Sequence, residues 1–334
     1  MVKRIRLFLF VLILFIIGCA SGNLIQTTDT VFMVSPDDFA YNKQTAASNV
    51  FQHNDTPVLE ARNQAMDQFN KMVKKLQSEN IRVIHVKSRN DIKTPDAVFP
   101  NNWFSTHRNG ERGTAIVIYP MATPNRRDEV RVDLLKSKLK ENGMKISKVI
   151  DLRHYNKQNK ALEGTGAMVL DRIHKAAFVS LSPRANKELL EDFCKQLGYR
   201  PVIFHSYDKG ELIYHTNVMM SVGTDYAVIC SESITDKSER KMVLNELKKL
   251  GKRIVEISPE QMEHMCGNIL QLHTTNGENV IIMSTTAYKN FSRAQKKELE
   301  KSGAIIPFDI HTIENIGGGS ARCMVAEIFH HSLF

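Results

Sequence analysis

Five polar residues recur along the 334-residue chain, each just ahead of an apolar run: Asp96, Glu163, His215, Cys266 and Cys323. They stand in Pro-Asp-Ala-Val-Phe-Pro-Asn-Asn-Trp, Leu-Glu-Gly-Thr-Gly, Tyr-His-Thr-Asn, Cys-Gly-Asn and Gly-Gly-Gly-Ser-Ala-Arg-Cys-Met. A thiol, an imidazole and a carboxylate together meet the requirements of thiolate nucleophilic catalysis. Cys323 is the candidate nucleophile. Gly317, Gly318 and Gly319 allow close backbone approach and positive φ beside it, and neighbouring backbone amides can hold developing negative charge. His215 is the candidate proton carrier, with Glu163 as its acidic partner. Cys266 is a rival thiol without the glycine approach and is read as lining or core. More than 150 residues separate Glu163 from Cys323. Only a fold that superposes equivalent positions can make one site of them.

The elements needed for that are repetitive. Residues 167–170 and 177–181 read as strands, 184–197 as a helix stopped by Gly198, and 201–204 as a further strand. The order recurs over 217–222, 226–230, a helix at 236–250 and 253–257, and again over 268–272, 280–283, a helix at 292–301 and 304–308. Residues 96–152 follow the same plan, with a helix at 127–142. The first unit has strands at 31–34 and 81–85 around a helix at 58–77, and lacks one strand; 322–329 is a spare one at the other end. Period-2 and period-3.6 patterns and glycine stops support each element. Five strand–strand–helix–strand units, the first completed by the last strand, predict an α/β fold, a five-bladed pseudo-symmetric ββαβ propeller. In such a ring the five polar positions converge on the centre. Two α/β domains meeting near residue 160 are the alternative, but no Pro/Gly/Ser-rich linker marks that boundary, so 30–334 is taken as one domain.

Composition agrees with a globular body: 42% hydrophobic and 24% charged residues exclude disorder, a collagen-like chain and a disulfide scaffold. The net charge of +9 falls to +6 without Lys3, Arg4 and Arg6 and is spread over helices of alternating sign, which argues against a nucleic-acid partner. Those three cations precede eleven apolar residues, too few to span a membrane and typical of a signal-peptide core. The Ile-Ile-Gly-Cys that follows resembles a bacterial lipobox. The expectation is an exported protein, periplasm-facing or on the cell surface, anchored to a membrane by a lipid on Cys19, with residues 20–29 as a tether. Cys194 and Cys230 sit in apolar-periodic segments, so no disulfide framework is expected.

The same motifs, joined by Asn125-Arg-Arg-Asp-Glu129 and Ser182-Pro-Arg-Ala-Asn186, carry a resemblance to the guanidine-modifying pentein superfamily. That group includes arginine deiminases, dimethylarginine hydrolases and amidinotransferases. The chain resembles most its branch of citrulline-utilisation hydrolases, over roughly residues 30–334. The resemblance implies the five-bladed ββαβ fold and a small amino-acid substrate, with no metal or organic cofactor. It implies that Cys323, His215 and Glu163 are catalytic, with Glu163 also accepting from the substrate's planar nitrogen head. It further implies that Asp96 holds the substrate's α-amino group, and that Arg126 and Arg184 bind its carboxylate through their planar forks. Asn101, Asn102 and Asn217 fall in the substrate-binding motifs.

Two departures bear on the substrate. Members acting on guanidinium usually carry aspartate at the position of Asn102, and arginine deiminases a second at that of Asn217. An amide can donate to a ureido carbonyl and accept from its N–H groups, whereas a carboxylate only accepts. The expectation is hydrolysis of citrulline to ornithine, ammonia and carbon dioxide through a Cys323 adduct. Hydrolysis of arginine or methylated arginine, amidino transfer, and a binding protein without turnover remain alternatives. Residues 37–52, polar and irregular, are a candidate lid.

Overall fold

The structure, a computed structural model, describes residues 25–110 and 112–330. The expected leader and lipidation site Cys19 lie outside the described residues. The first unit supplies β1 (Thr30–Val34) and β2 (Arg82–Val86), parallel to each other across the helix Val58–Ser78. The second has β3 (Phe104–Arg108), β4 (Thr114–Ile118) and β5 (Ile146–Asp151), and the third β6 (Val169–Asp171), β7 (Ala176–Ser180) and β8 (Arg200–Phe204). A small hairpin, β9 (Tyr207–Asp208) and β10 (Glu211–Leu212), leads to the fourth unit, β11 (Met220–Val222), β12 (Tyr226–Ile229) and β13 (Arg253–Glu256). The fifth is β14 (Leu270–His273), β15 (Asn279–Ser284) and β16 (Ala304–Phe308), and β17 (Ala326–Glu327) closes the series.

Each main sheet has three strands and one connectivity. The first two strands are antiparallel, and the second and third run parallel, joined by a helix, as in β4–β5, β7–β8, β12–β13 and β15–β16. Parallel neighbours need such a crossover, whereas antiparallel ones need only a turn. In the first sheet β17 pairs antiparallel with β1, so the last strand does complete the first unit. The α/β class and the fivefold ββαβ repeat are therefore present, as five separate sheets rather than one closed one. Contacts run between them from β17 to β3, β6 to β11 and β11 to β14.

Apolar cores fill the spaces between successive units. One joins Phe32 and Ile328 to Phe104, Ile116 and Leu135, and another joins Val117 and Ile150 to Leu170, Val179 and Phe193. Their helices bury one stripe each. In Lys187–Leu197 this is Leu189, Leu190, Phe193 and Cys194, with Asn186 capping one end and Gly198, at φ 70°, closing the other.

The structure departs from sequence expectation at element ends. The helix expected at 127–142 is broken into Pro124–Arg127 and Val132–Glu141, because the intervening turn folds Glu129 back onto Arg126. The strand expected at 217–222 begins as a helical turn, Thr216–Met219, and that expected at 322–329 shrinks to Ala326–Glu327. The tether expected to end at residue 29 is also too long. Gln26, Thr27 and Thr28 are buried, with the Gln26 amide donating to Leu170 and Val222 carbonyls and accepting from the Arg172 amide. These bonds satisfy strand ends in two different units, so the fold starts before β1.

Candidate active site

Short helical turns, not strands, present the polar residues. Glu163 is the N-cap residue of the turn Gly164–Ala167, and His215 of Thr216–Met219. Thr216 ties the two turns by donating to the Ala167 carbonyl at 2.6 Å. Glycine is needed where they meet the second unit. Gly164 has φ +47°, and a Cβ on it would lie 2.3 Å from the Asn101 carbonyl oxygen. A Cβ on Gly166 would lie 2.2 Å from Asn102 Nδ2 and 2.8 Å from His215 Nδ1. The Leu-Glu-Gly-Thr-Gly motif thus sets the packing of Asn102 and the imidazole against one backbone segment.

His215 Nε2 donates to Glu163 Oε2 at 2.8 Å, and Glu163 Oε1 accepts from the Ala122 amide at 3.0 Å. Burial works against the Glu163 charge, but Arg184 at 3.5 Å, the His215 bond and Arg126 at 3.9 Å hold the carboxyl well below its usual range. Burial pushes His215 down to about 4 despite that carboxylate. The pair is therefore a carboxylate and a neutral imidazole, and the bond to Glu163 places the ring proton on Nε2. Nδ1 is left as a base.

Cys323 joins this pair through Asn217, two residues beyond His215, whose Nδ2 donates to the sulfur at 3.4 Å. The thiol sits in the turn after the three glycines, with its amide donating to the Ser320 carbonyl at 2.9 Å. Positive φ is needed only at Gly318, at +65°. Gly317 and Gly319 are there for space, since a Cβ on either would meet the Phe99 ring at 2.7 or 2.9 Å. Tyr214 reinforces the link by donating to the Gly318 carbonyl at 2.7 Å while its ring packs against His215, tilted by 46° at 4.6 Å between centroids. Glu163, His215 and Cys323 are all at least 96% buried.

The binding residues divide. Asp96 is buried, which raises its carboxyl against the pull of Arg126; Oδ2 accepts from Asn42 and Thr45, and Oδ1 has no partner among the described residues. Arg184 donates to the Thr45 carbonyl at 2.9 Å and to Ser48, and stacks on Tyr214. Arg126 does not present the free fork expected for a substrate carboxylate. Its Nε and Nη2 grip Glu129 at 3.0 and 2.8 Å, Nη2 also reaches the Phe99 carbonyl, and Nη1 donates to Asn102 Oδ1 at 2.8 Å. A guanidinium can only donate, so this last bond forces Asn102 Nδ2 to the opposite side, toward Gly166 and His215, where it has no partner among the described residues. The Asn101 amide likewise has none.

Residues 37–52 cover this cluster. Asn42 and Thr45 hold Asp96, Ser48 holds Arg184, and Gln52 donates to the Gly317 carbonyl. The rival thiol Cys266 is buried away from it, reaching only the Ala287 carbonyl at 3.5 Å, and burial pushes it up to about 12. Sequence reasoning missed the roles of Glu129 and Asn268. The Nδ2 of Asn268 donates to Cys323 Sγ at 3.2 Å. The signal was present: Asn268 follows Cys266 by two positions, as Asn217 follows His215.

Comparison with known proteins sets this geometry in context. The family model described as N,N dimethylarginine dimethylhydrolase, eukaryotic, matches residues 35–330. No curated protein matches the chain. Among solved structures, apo ArgZ, an arginine dihydrolase from the ornithine–ammonia cycle in cyanobacteria, aligns with TM-score 0.68 at 17% identity, covering 91% of this chain and 41% of that one. The N-terminal domain of ArgZ bound to substrate aligns with TM-score 0.66 at 17% identity, over 89% of this chain and 97% of that one. A cysteine-to-serine mutant of DDAH from Pseudomonas aeruginosa, complexed with citrulline, aligns with TM-score 0.60 at 13% identity, over 91% of this chain and 100% of that one. The chain thus spans about two-fifths of full-length ArgZ and nearly all of its N-terminal domain. At these identities the likeness is one of fold, the α/β fold of the pentein superfamily.

Proposed function

The chain belongs to the N,N-dimethylarginine dimethylhydrolase family of the pentein superfamily, hydrolases that act on C–N bonds, and from that premise we propose that it hydrolyses a ureido amino acid, citrulline. The observation that carries the choice is the fixed orientation of Asn102. Its Oδ1 is taken by Arg126, and its Nδ2 projects beside His215 as an N–H donor. A guanidinium offers only N–H groups there, donor against donor. A ureido group offers a carbonyl oxygen to Asn102, and N–H groups to the unpartnered oxygens of Asn217 and Asp96.

On this reading the Cys323 proton passes to His215 Nδ1, and Sγ attacks the ureido carbon. The bond from that carbon to the chain nitrogen breaks, and the nitrogen leaves as the amine of ornithine with the proton from Nδ1. Water then attacks the S-carbamoyl group, giving a proton to Nδ1. The C–S bond breaks, the thiolate recovers that proton, and the released carbamate decomposes to ammonia and carbon dioxide. Glu163 stabilises the imidazolium in both halves. Arg184 is the group for the substrate carboxylate: its present partners Thr45 and Ser48 belong to the covering segment 37–52, whose movement would release it.

The family match favours a second reading on the same residues, hydrolysis of a methylated arginine to citrulline and an amine. Incubation of purified protein with citrulline, arginine and dimethylarginine separates the two by product. Ornithine and ammonia from citrulline, abolished in Cys323→Ser, is the expected result; citrulline accumulating from a guanidino substrate overturns it. The lipid anchor belongs to this proposal on the sequence alone. Mass analysis of the mature N-terminus should find acylated Cys19, and Cys19→Ala should release the protein from membranes.

A further inference from the structure

We propose that Asn268 is a further catalytic residue, a fixed amide donor that carries the negative charge of the Cys323 sulfur. This inference rests on Cys323 being the nucleophile. Cys323 is 96% buried in an apolar cluster that draws on the first and fifth units, so water gives a thiolate there little solvation. Two amide groups reach it instead, Asn268 Nδ2 at 3.2 Å and Asn217 Nδ2 at 3.4 Å, while Asn268 Oδ1, more distant at 3.6 Å, accepts from the S–H only as long as the sulfur is protonated.

The two are not equivalent. Asn217 Oδ1 has no partner among the described residues, and nothing in its contacts forces the N–H side toward sulfur. Asn268 is locked. Its Oδ1 accepts the Arg322 amide at 3.1 Å, which only a carbonyl oxygen can do, and its Nδ2 also donates to the Asn217 carbonyl at 3.1 Å. Both amide hydrogens are therefore placed, one on backbone and one on sulfur, and the anchoring N–H comes from the residue directly before the nucleophile. The repeat explains the convergence: Asn217 and Asn268 occupy the same offset in consecutive units. The fifth unit thus reaches the site through Asn268, while its own leading residue, Cys266, stays in the core.

A neutral substrate makes this donor necessary. A guanidinium brings positive charge to the thiol as it binds, but a ureido group brings none, so a protein acting on it must hold the thiolate with its own groups.

The test uses the full chain and four variants, Asn268→Asp, Asn268→Ala, Asn268→Ser and Cys323→Ser. The rate of Cys323 alkylation by iodoacetamide is followed by peptide mass from pH 5 to 9.5, alongside kcat, KM and thermal unfolding. In Asn268→Ala and Asn268→Asp the half-maximal pH of alkylation should rise by about one unit or more, with kcat down about 10- to 100-fold and KM within threefold. Asn268→Ser keeps a donor and should fall between them and the wild type; if the other two do not fold, it decides alone. Folded variants whose alkylation profiles superimpose on the wild type's overturn the proposal, as does a rise in KM with the profile unmoved. Failure of the underlying reading looks different: Cys323→Ser would retain turnover, or alkylation would fall on another cysteine.

Discussion

Replacing Asn102 by aspartate tests the link between amide orientation and substrate. Arg126 Nη1, 2.8 Å from Asn102 Oδ1, would keep its acceptor, so the side chain should hold its place. The oxygen replacing Nδ2 would turn the donor beside His215 into a charged acceptor. For citrulline, the ureido carbonyl loses a buried partner and faces a carboxylate, costing about 1–3 kcal/mol. For arginine, one guanidinium N–H gains a charge-assisted acceptor, worth about 1.5–3 kcal/mol. The two effects act oppositely on the two substrates, so the ratio of kcat/KM for citrulline over arginine should fall by about 2.5–6 kcal/mol, or roughly 10²- to 10⁴-fold. The added carboxylate joins Asp96, Glu129 and Glu163 beside Arg126, and its repulsion should appear as lost stability common to both assays. Ornithine and ammonia release from citrulline, and citrulline and ammonia release from arginine, at one pH and ionic strength, with thermal unfolding as control, give the ratio. A change below threefold in a folded variant would refute the orientation argument, and so would a wild type that prefers arginine.

Gly318→Ala should loosen the covering segment. The new Cβ would lie 2.6 Å from Asn49 Nδ2 and 2.8 Å from Gln52 Cγ, and φ +65° adds roughly 1–2 kcal/mol of strain. Faster hydrogen exchange over 42–52 and a raised KM are expected, whereas unchanged exchange would count against the lid. Acid should destabilise the fold through the buried His215–Glu163 pair. His215 takes a proton near pH 4 when folded but near 6.5 when unfolded, so between those values the unfolded chain binds more protons. Stability present above pH 6.5 should be lost as pH falls toward 4, by at most about 3 kcal/mol from this group, with the depressed Glu163 carboxyl adding to the loss at still lower pH. Denaturant melts at pH 7, 6 and 5 should show the decline, and His215→Gln should flatten it.

Much of this protein was legible without coordinates. The fivefold strand–strand–helix–strand order follows from hydrophobic period and glycine stops, because each unit must bury one face of a helix and both faces of a short sheet. The leading residues Glu163, His215 and Cys323 were legible for the same reason: a repeat makes equivalent positions neighbours, however far apart they lie in the chain. Tertiary structure alone decided how those groups are held. That Arg126 is spent on Glu129 and Asn102 depends on a broken helix that local propensity did not reveal. That Cys266 is core while Asn268 meets the sulfur depends on the irregular turn between the helix Pro259–Glu263 and β14, which carries no hydrophobic period to read. That residues 42–52 lie against Asp96, Arg184 and Gly317 depends on side-chain hydrogen bonds to groups in three other units. Periodicity records which face of an element is buried, whereas the aim of an amide or a guanidinium is set by partners from elsewhere in the chain.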